Sequence, residues 1–182
     1  GPSESMSKSK KNTIDPEEII ENYGADAVRL FILSDSPPAK DVQWSEQGMV
    51  SSYKFINKLW NLHVLIKKNH NSKKQNYKSA ENITKFTNRL INKINFNLER
   101  FNYNVIIANL YETYNFLMEK LSEPLEGENL IENYKKILSV MSPVIPHFAS
   151  ECLKDLGEKQ FQNWPKIDEK MLDEEIVQIV VQ

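Results

Sequence analysis

The sequence predicts an all-α protein: an antiparallel helical bundle, preceded by a connector of one loop and two short helices and followed by a lone strand. Three observations carry this. Apolar residues recur at steps of three and four through most of the 182 residues, which is the period of an amphipathic helix. Proline and most glycines fall between those stretches, where they end helices. Ile176 to Val181 is rich in β-branched residues and reads as a strand. Helices with one apolar face each cannot bury it alone, so they pack together.

Met6-Ser7-Lys8-Ser9 opens the connector as a flexible tetrapeptide, with two hydroxyls and one mobile ammonium suited to closing over a polyphosphate. The same residues near a chain end also read as solvated linker. Asp15 is an N-cap with Pro16 at the first helical position and Glu17 and Glu18 at the positive helix end. Gly24 ends that helix. Ala25 to Leu33 forms a mostly apolar helix stopped at Ser36-Pro37-Pro38.

Ser45 caps a long helix running to about Asn69. Its expected buried stripe is Val50, Tyr53, Ile56, Trp60 and Val64, with Lys54, Lys58, Asn61 and Lys68 on another face. Residues 69–80 are polar and lysine-rich and read as a loop. A second long helix starts near Glu81, with Ile83, Phe86, Leu90, Ile94, Leu98 and Phe101 inward and Lys85, Arg89, Lys93 and Arg100 turned elsewhere. The third, from Tyr103 to Leu121, presents Ile107, Leu110, Tyr114, Leu117 and Leu121. Pro124 and Gly127 mark a turn, after which Leu130, Tyr134, Ile137, Leu138 and Met141 form the next stripe. Ser142-Pro143 breaks it, and a last helix runs from Pro146 to Leu156 and closes at Gly157.

With 40% hydrophobic and 26% charged residues, the chain is of the globular class. Its single cysteine, Cys152, excludes an internal disulfide and fits a reducing compartment. No apolar run is long enough to cross a bilayer and no leader pattern is present, so a cytoplasmic location is expected. Gly1-Pro2-Ser3 reads as the remnant of a cleaved tag. His63 and His70 are separated from His147 by long stretches, and the histidines read as structural or capping and not as metal ligands; Cys152 reads as a buried thiol.

Net charge is only −2, but its distribution is uneven. Residues 53–100 hold eleven Lys and Arg against Glu81 and Glu99, whereas residues 101–182 hold fourteen acids against seven Lys. The basic third is where a phosphate backbone would lie. A lysine-rich helix is also often only a solvated face, and both readings stand at this level.

The stretch MSKSKKNTIDPEEIIENYGADAVRLFILSDSPPAKDVQWSEQG resembles the KMSKS signature and following segment of class I aminoacyl-tRNA synthetases, closest to the leucyl members. The isoleucyl, valyl and methionyl members are the sister reading. RFNYNVIIANLYETYNFLMEKL and LSVMSPVIPHFASECL resemble the anticodon-binding bundle of the same enzymes, so the likeness runs from Met6 to Gln182. One departure is that Ser5 stands where the first lysine of KMSKS belongs.

The resemblance implies residues 1–5 as tag or linker, 6–44 as KMSKS loop and connector from a catalytic domain, 45–157 as anticodon-binding bundle, and 158–182 as linker and first strand of a further domain. It implies a parent leucine–tRNA ligase that activates leucine with Mg-ATP and transfers it to tRNA(Leu). In that enzyme Lys8 would be catalytic, stabilising charge on the triphosphate within the loop Met6, Ser7, Lys8 and Ser9. Contacts to tRNA would come from Lys54, Lys58, Lys85, Arg89 and Lys93. The glycines are too scattered for a phosphate-cradling loop and no HIGH-like motif is present. The piece alone is therefore expected to be inactive and monomeric, to bind no ATP, and to leave its loop without fixed structure. The competing class is a helical protein-interaction module with no RNA role.

Overall fold

A computed structural model describes residues 4–34, 40–74, 76–158 and 163–172. Seven α-helices carry it: α1 (Pro16–Tyr23), α2 (Ala25–Ser34), α3 (Glu46–Lys68), α4 (Tyr77–Leu98), α5 (Tyr103–Lys120), α6 (Gly127–Met141) and α7 (Pro146–Asp155). Single 3-10 turns stand at Lys8–Lys10 and Glu169–Met171. Among the described residues the only β pairing is one antiparallel bridge between Lys73 and Glu126. The expected strand at 176–181 lies outside the described residues.

Caps set the helix boundaries. The Asp15 carboxylate accepts from the Glu17 N–H at 3.0 Å with Pro16 next in line, and Gly24 closes α1 at φ 81°. Ser45 Oγ accepts from the Gly48 N–H at 3.1 Å to start α3. α4 begins four residues before the expected Glu81, because Asn76 Oδ1 accepts from the Ser79 N–H at 3.1 Å. Its first turn is polar, so apolar periodicity does not reveal it.

α3 and α4 each pack against both α5 and α6. α3 and α4, consecutive in sequence, therefore stand on the diagonal of a four-helix bundle. The α3–α4 crossover closes one end, where Ser72 accepts from the Gly127 N–H at 2.9 Å and its Oγ donates to the Leu125 carbonyl at 2.8 Å. A side chain at Gly127 would fall onto the carbonyl oxygens of Asn69 and His70, which is why α6 starts on a glycine. Between the helices lies a core of aliphatic side chains such as Leu59, Ile94, Leu110 and Ile137, flanked by stacked Phe86–Phe116 and Phe55–Tyr111 rings 3.9 and 3.8 Å apart. Residues 163–172 strap the outside of α4: Trp164 Nε1 donates to Asn95 at 2.8 Å, and the Asp168 N–H donates to Asn88 at 2.7 Å.

α3 is turned by one residue, about 100°, from its expected face. Met49, Phe55, Leu59, Leu62 and Ile66 are buried, whereas Tyr53 and Val64 are exposed and Trp60 is 41% exposed. The helix carries two neighbouring apolar stripes, and the buried one includes Ser52 and His63, whose polarity disguised it. Trp60 is thus a surface residue lying over His63, with ring centroids 5.3 Å apart. Phe101, expected at the end of the α4 stripe, is 62% exposed.

At the opposite end from the crossover, α2 packs on α3, α5 and α7 and joins the connector to the bundle. Asp26 is buried, and its two carboxylate oxygens accept from the His147 N–H at 3.2 Å and the Phe148 N–H at 2.6 Å. These N–H groups are the orphan donors of the α7 N-terminus, where no side chain of α7's own cap reaches them. One turn along, Arg29 donates to the carbonyls of Pro143 at 2.7 Å and Val144 at 3.0 Å. One helix therefore supplies an anion to the start of α7 and a cation to the end of the α6–α7 link.

His63, fully buried, sets its Nε2 2.9 Å from Asp155 Oδ2, and Lys67 pairs with the other carboxylate oxygen. Together they tie α3 to the last residue of α7.

Two outcomes are expected. Asp26→Ala leaves the buried Phe148 N–H and the part-buried His147 N–H unpaired and should cost about 2–3 kcal/mol in urea unfolding; a loss below about 1 kcal/mol would show that the α7 cap is dispensable. The Asp155 carboxyl is held below its ordinary value, first by the Lys67 hydrogen bond and then by His63. A depressed folded pKa means that this stabilisation is complete above the unfolded carboxylate value of about 4 and drains as pH falls through the folded value. Asp155→Asn should accordingly flatten the fall of the urea midpoint with pH below about 4.

Candidate functional site

The tetrapeptide at the amino end is a tight turn, not the structureless loop expected. Ser7 Oγ accepts from the Lys10 N–H at 3.3 Å and lies 3.1 Å from Ser9 Oγ, while the Ser7 N–H donates to Asn12 Oδ1 at 2.9 Å. Lys11 takes the left-handed conformation at φ 54° to close the turn. Lys10 pairs with Glu4 at 3.6 Å. Among the described residues no ion pair engages Lys8, and Met6, Lys8 and Ser9 are exposed. The turn thus presents one ammonium and two neighbouring hydroxyls to solvent, with local hydrogen bonds fixing the backbone behind them.

The five other candidate residues divide between two places. Lys54 and Lys58 stand exposed on α3, and no acid pairs with either among the described residues. On α4, Lys85 bonds Glu81 at 2.8 Å and Lys93 approaches Glu112 of α5 at 3.4 Å, with Arg89 half-buried between them. The lysine–glutamate bond also lowers the Glu81 carboxyl from its ordinary value. Because α3 and α4 are diagonal, these residues do not form one continuous basic face. They form two, with the α3 cations the less neutralised.

Sequence reasoning singled out neither Asp26 nor Arg29. The signal was present: an acid and an arginine three residues apart in an otherwise apolar helix need buried partners of their own. Cys152 is buried as expected, and burial pushes its thiol up to about 12, so it is no thiolate nucleophile. Its neighbour Tyr134, wholly within the core, has a phenol raised well above its usual value by the same burial. His147 is exposed, and only its backbone N–H joins the α7 cap. Among the described residues no three His, Cys, Asp or Glu side chains gather as a metal site, and no helix is long and apolar enough to cross a membrane.

Two family models match parts of the chain. The family model described as "Anticodon-binding domain of tRNA ligase" matches residues 80–182, and that of "tRNA synthetases class I (I, L, M and V)" matches residues 3–45. Leucine–tRNA ligases of Bartonella tribocorum and Fusobacterium nucleatum are 35% and 36% identical, each over 98% of this chain. The matched part is 21% and 22% of those proteins, so the chain spans about a fifth of the curated relatives. The fold is similar to that in the ternary complex of Agrobacterium radiobacter K84 agnB2 LeuRS with tRNA and LeuAMS, at a TM-score of 0.83 and 22% identity over 92% of this chain and 23% of that one. With the first family model covering more than half of its residues, the chain belongs to the anticodon-binding domain family of tRNA ligases.

Proposed function

We propose that this chain is the tRNA-docking part of a leucine–tRNA ligase, in which the bundle holds tRNA(Leu) and the amino-terminal turn serves ATP. The observation that carries the reading is the join at α2: a segment similar to class I synthetases, bearing Lys8, is fastened through Asp26 and Arg29 to a bundle of the anticodon-binding family. In the parent enzyme, Mg-ATP would supply the adenylyl group that activates leucine, with pyrophosphate leaving. The residues of the turn fit the outer phosphates of a nucleotide: Lys8 supplies a point charge, and Ser7 and Ser9 supply hydroxyl donors. They do not by themselves make a nucleotide pocket, so adenosine and leucine are assigned to the remainder of the parent protein. Lys8 does its work by stabilising negative charge that grows on the triphosphate as the adenylate forms.

The bundle contributes cations for a phosphate backbone. Lys54 and Lys58 form one contact region, and Lys85, Arg89 and Lys93 form the other. A stiff RNA stem covers one of two diagonal faces, not both. Each neutralised phosphate contributes about 0.7–0.9 to the slope of log affinity against log salt.

Two measurements test this reading. Titration of tRNA at several salt concentrations should show salt-dependent binding by the wild-type chain, with about two units of slope lost in either the Lys54→Glu/Lys58→Glu or the Lys85→Glu/Lys93→Glu variant. Salt-insensitive binding, or two unchanged variants, would favour the protein-interaction module instead. In the full-length parent, Lys8→Ala should slow leucine-dependent ATP–pyrophosphate exchange by about a hundredfold or more while leaving tRNA affinity unchanged.

A further inference from the structure

The corner between α4 and α5 holds a backbone conformation and two side chains that the packing of the bundle does not explain. Helix α4 ends with the Phe101 N–H donating to Leu98 at 3.1 Å and the Asn102 N–H reaching back to Asn97 at 2.9 Å. That pattern places residue 101 where a helix ends in the left-handed conformation, a position at which glycine is the usual occupant. Here the residue is phenylalanine, at φ 55°. A bulky side chain carries a steric cost there that glycine avoids. Burial does not offset that cost, because the ring is 62% exposed.

Beside it, Phe96 is 54% exposed, and the Arg100 guanidinium lies 3.6 Å from the centre of its ring. Arg100 is held in that pose by a 3.0 Å bond from its Nη1 to the Phe96 carbonyl. Tyr103 stands 6.3 Å from Phe101, tilted by 58°. Lys93 lies one turn before Phe96 on the same helix. The acids nearby are Glu99, 3.7 Å from Arg100, and Glu112, 3.4 Å from Lys93; both are exposed pairs of the weak, salt-screened kind. Planar π-faces next to cations are what a splayed-out nucleobase and its phosphate require, and stacking of this sort tolerates any base.

We propose that the α4–α5 corner is a stacking site for an unpaired nucleotide of bound tRNA, with Phe101 and the Phe96–Arg100 pair receiving bases and Lys93 meeting the adjoining phosphate. The proposal rests on the tRNA-docking reading and deepens it: it assigns single-stranded nucleotides, in addition to duplex backbone, to this chain. The left-handed backbone at residue 101 is what keeps the ring out in solvent, so strain in the free protein is the cost of holding the platform ready.

Fold and function can be separated at Phe101, because glycine relieves the backbone and removes the ring. Phe101→Gly should raise Tm by about 2–4 °C and weaken tRNA binding by about tenfold with an unchanged salt slope. Phe96→Ala should weaken binding similarly, Phe101→Leu should behave as Phe101→Gly does in binding, and Phe101→Trp should keep affinity and show indole quenching when tRNA is added. A fully paired RNA duplex should bind all variants equally. Wild-type binding of tRNA with no loss in Phe101→Gly and Phe96→Ala would overturn the stacking site while leaving the docking reading intact. Absence of salt-dependent tRNA binding by the wild-type chain would overturn both. A Phe101→Gly variant that loses Tm together with affinity would assign the ring to packing and also overturn the proposal.

Discussion

Two oppositely charged side chains on one helix make the connector and the bundle a single body. Asp26 fills the electropositive start of α7, and Arg29, three residues on, takes the carbonyls that precede it. The arrangement exploits the peptide dipoles at both sides of one chain reversal, so α2 is fixed in position and rotation at once. Aliphatic packing alone would not do this. Leu30 and Phe31 hold α2 down, but greasy contacts allow a helix to slide, whereas four directed bonds with named partners do not. The same end of the bundle is also held by α1, whose Tyr23 ring meets Tyr53 of α3 at 5.7 Å.

Several buried polar groups of the bundle follow the same logic of directed pairing. His63 would be costly in an aliphatic interior but reaches the edge of the core at Asp155, so one ring nitrogen is satisfied where α3 meets α7. Thr87 and Thr113 return their hydroxyls to the carbonyls one turn earlier, which satisfies them without a partner helix. Asn88 and Asn95 on α4 instead receive donors from the strap at Asp168 and Trp164. The amide side chains that make the sequence look unusually polar for a bundle thereby serve as anchor points for irregular chain.

Much of this was legible in the sequence because caps and breakers act locally. Asp15-Pro16, Gly24, Ser45 and Gly127 place helix ends through bonds or clashes within a few residues or at a single crossing, and periodicity places the helices between them. What was not legible depended on distance through space. The inward face of α3 is decided by which of two apolar stripes meets α5 and α6, a choice to which His63 contributes only once Asp155 is beside it. The partners of Asp26 lie more than a hundred residues away. The separation of the lysines on α3 from those on α4 follows from the diagonal arrangement, which no local pattern encodes. The turn at Lys8 is expected to lack structure because the loop it resembles is mobile and stands here without a catalytic domain; its order comes from bonds of Ser7 with Asn12 and Lys10.

The diagonal placement of α3 and α4 bears on how the chain reaches its native state. Neighbours in sequence usually zip into hairpins and so assemble early at small entropic cost. Here the crossover joins two helices that bury their faces on others, so an α3–α4 hairpin gains almost nothing on its own. The productive local unit is α4 with α5, whose Phe86 and Phe116 rings stack across a short link. α6 then closes on α4, and α3 seats only into the groove between α5 and α6. A chain emerging from the ribosome would therefore hold α3 and its connector in waiting until α6 has been made.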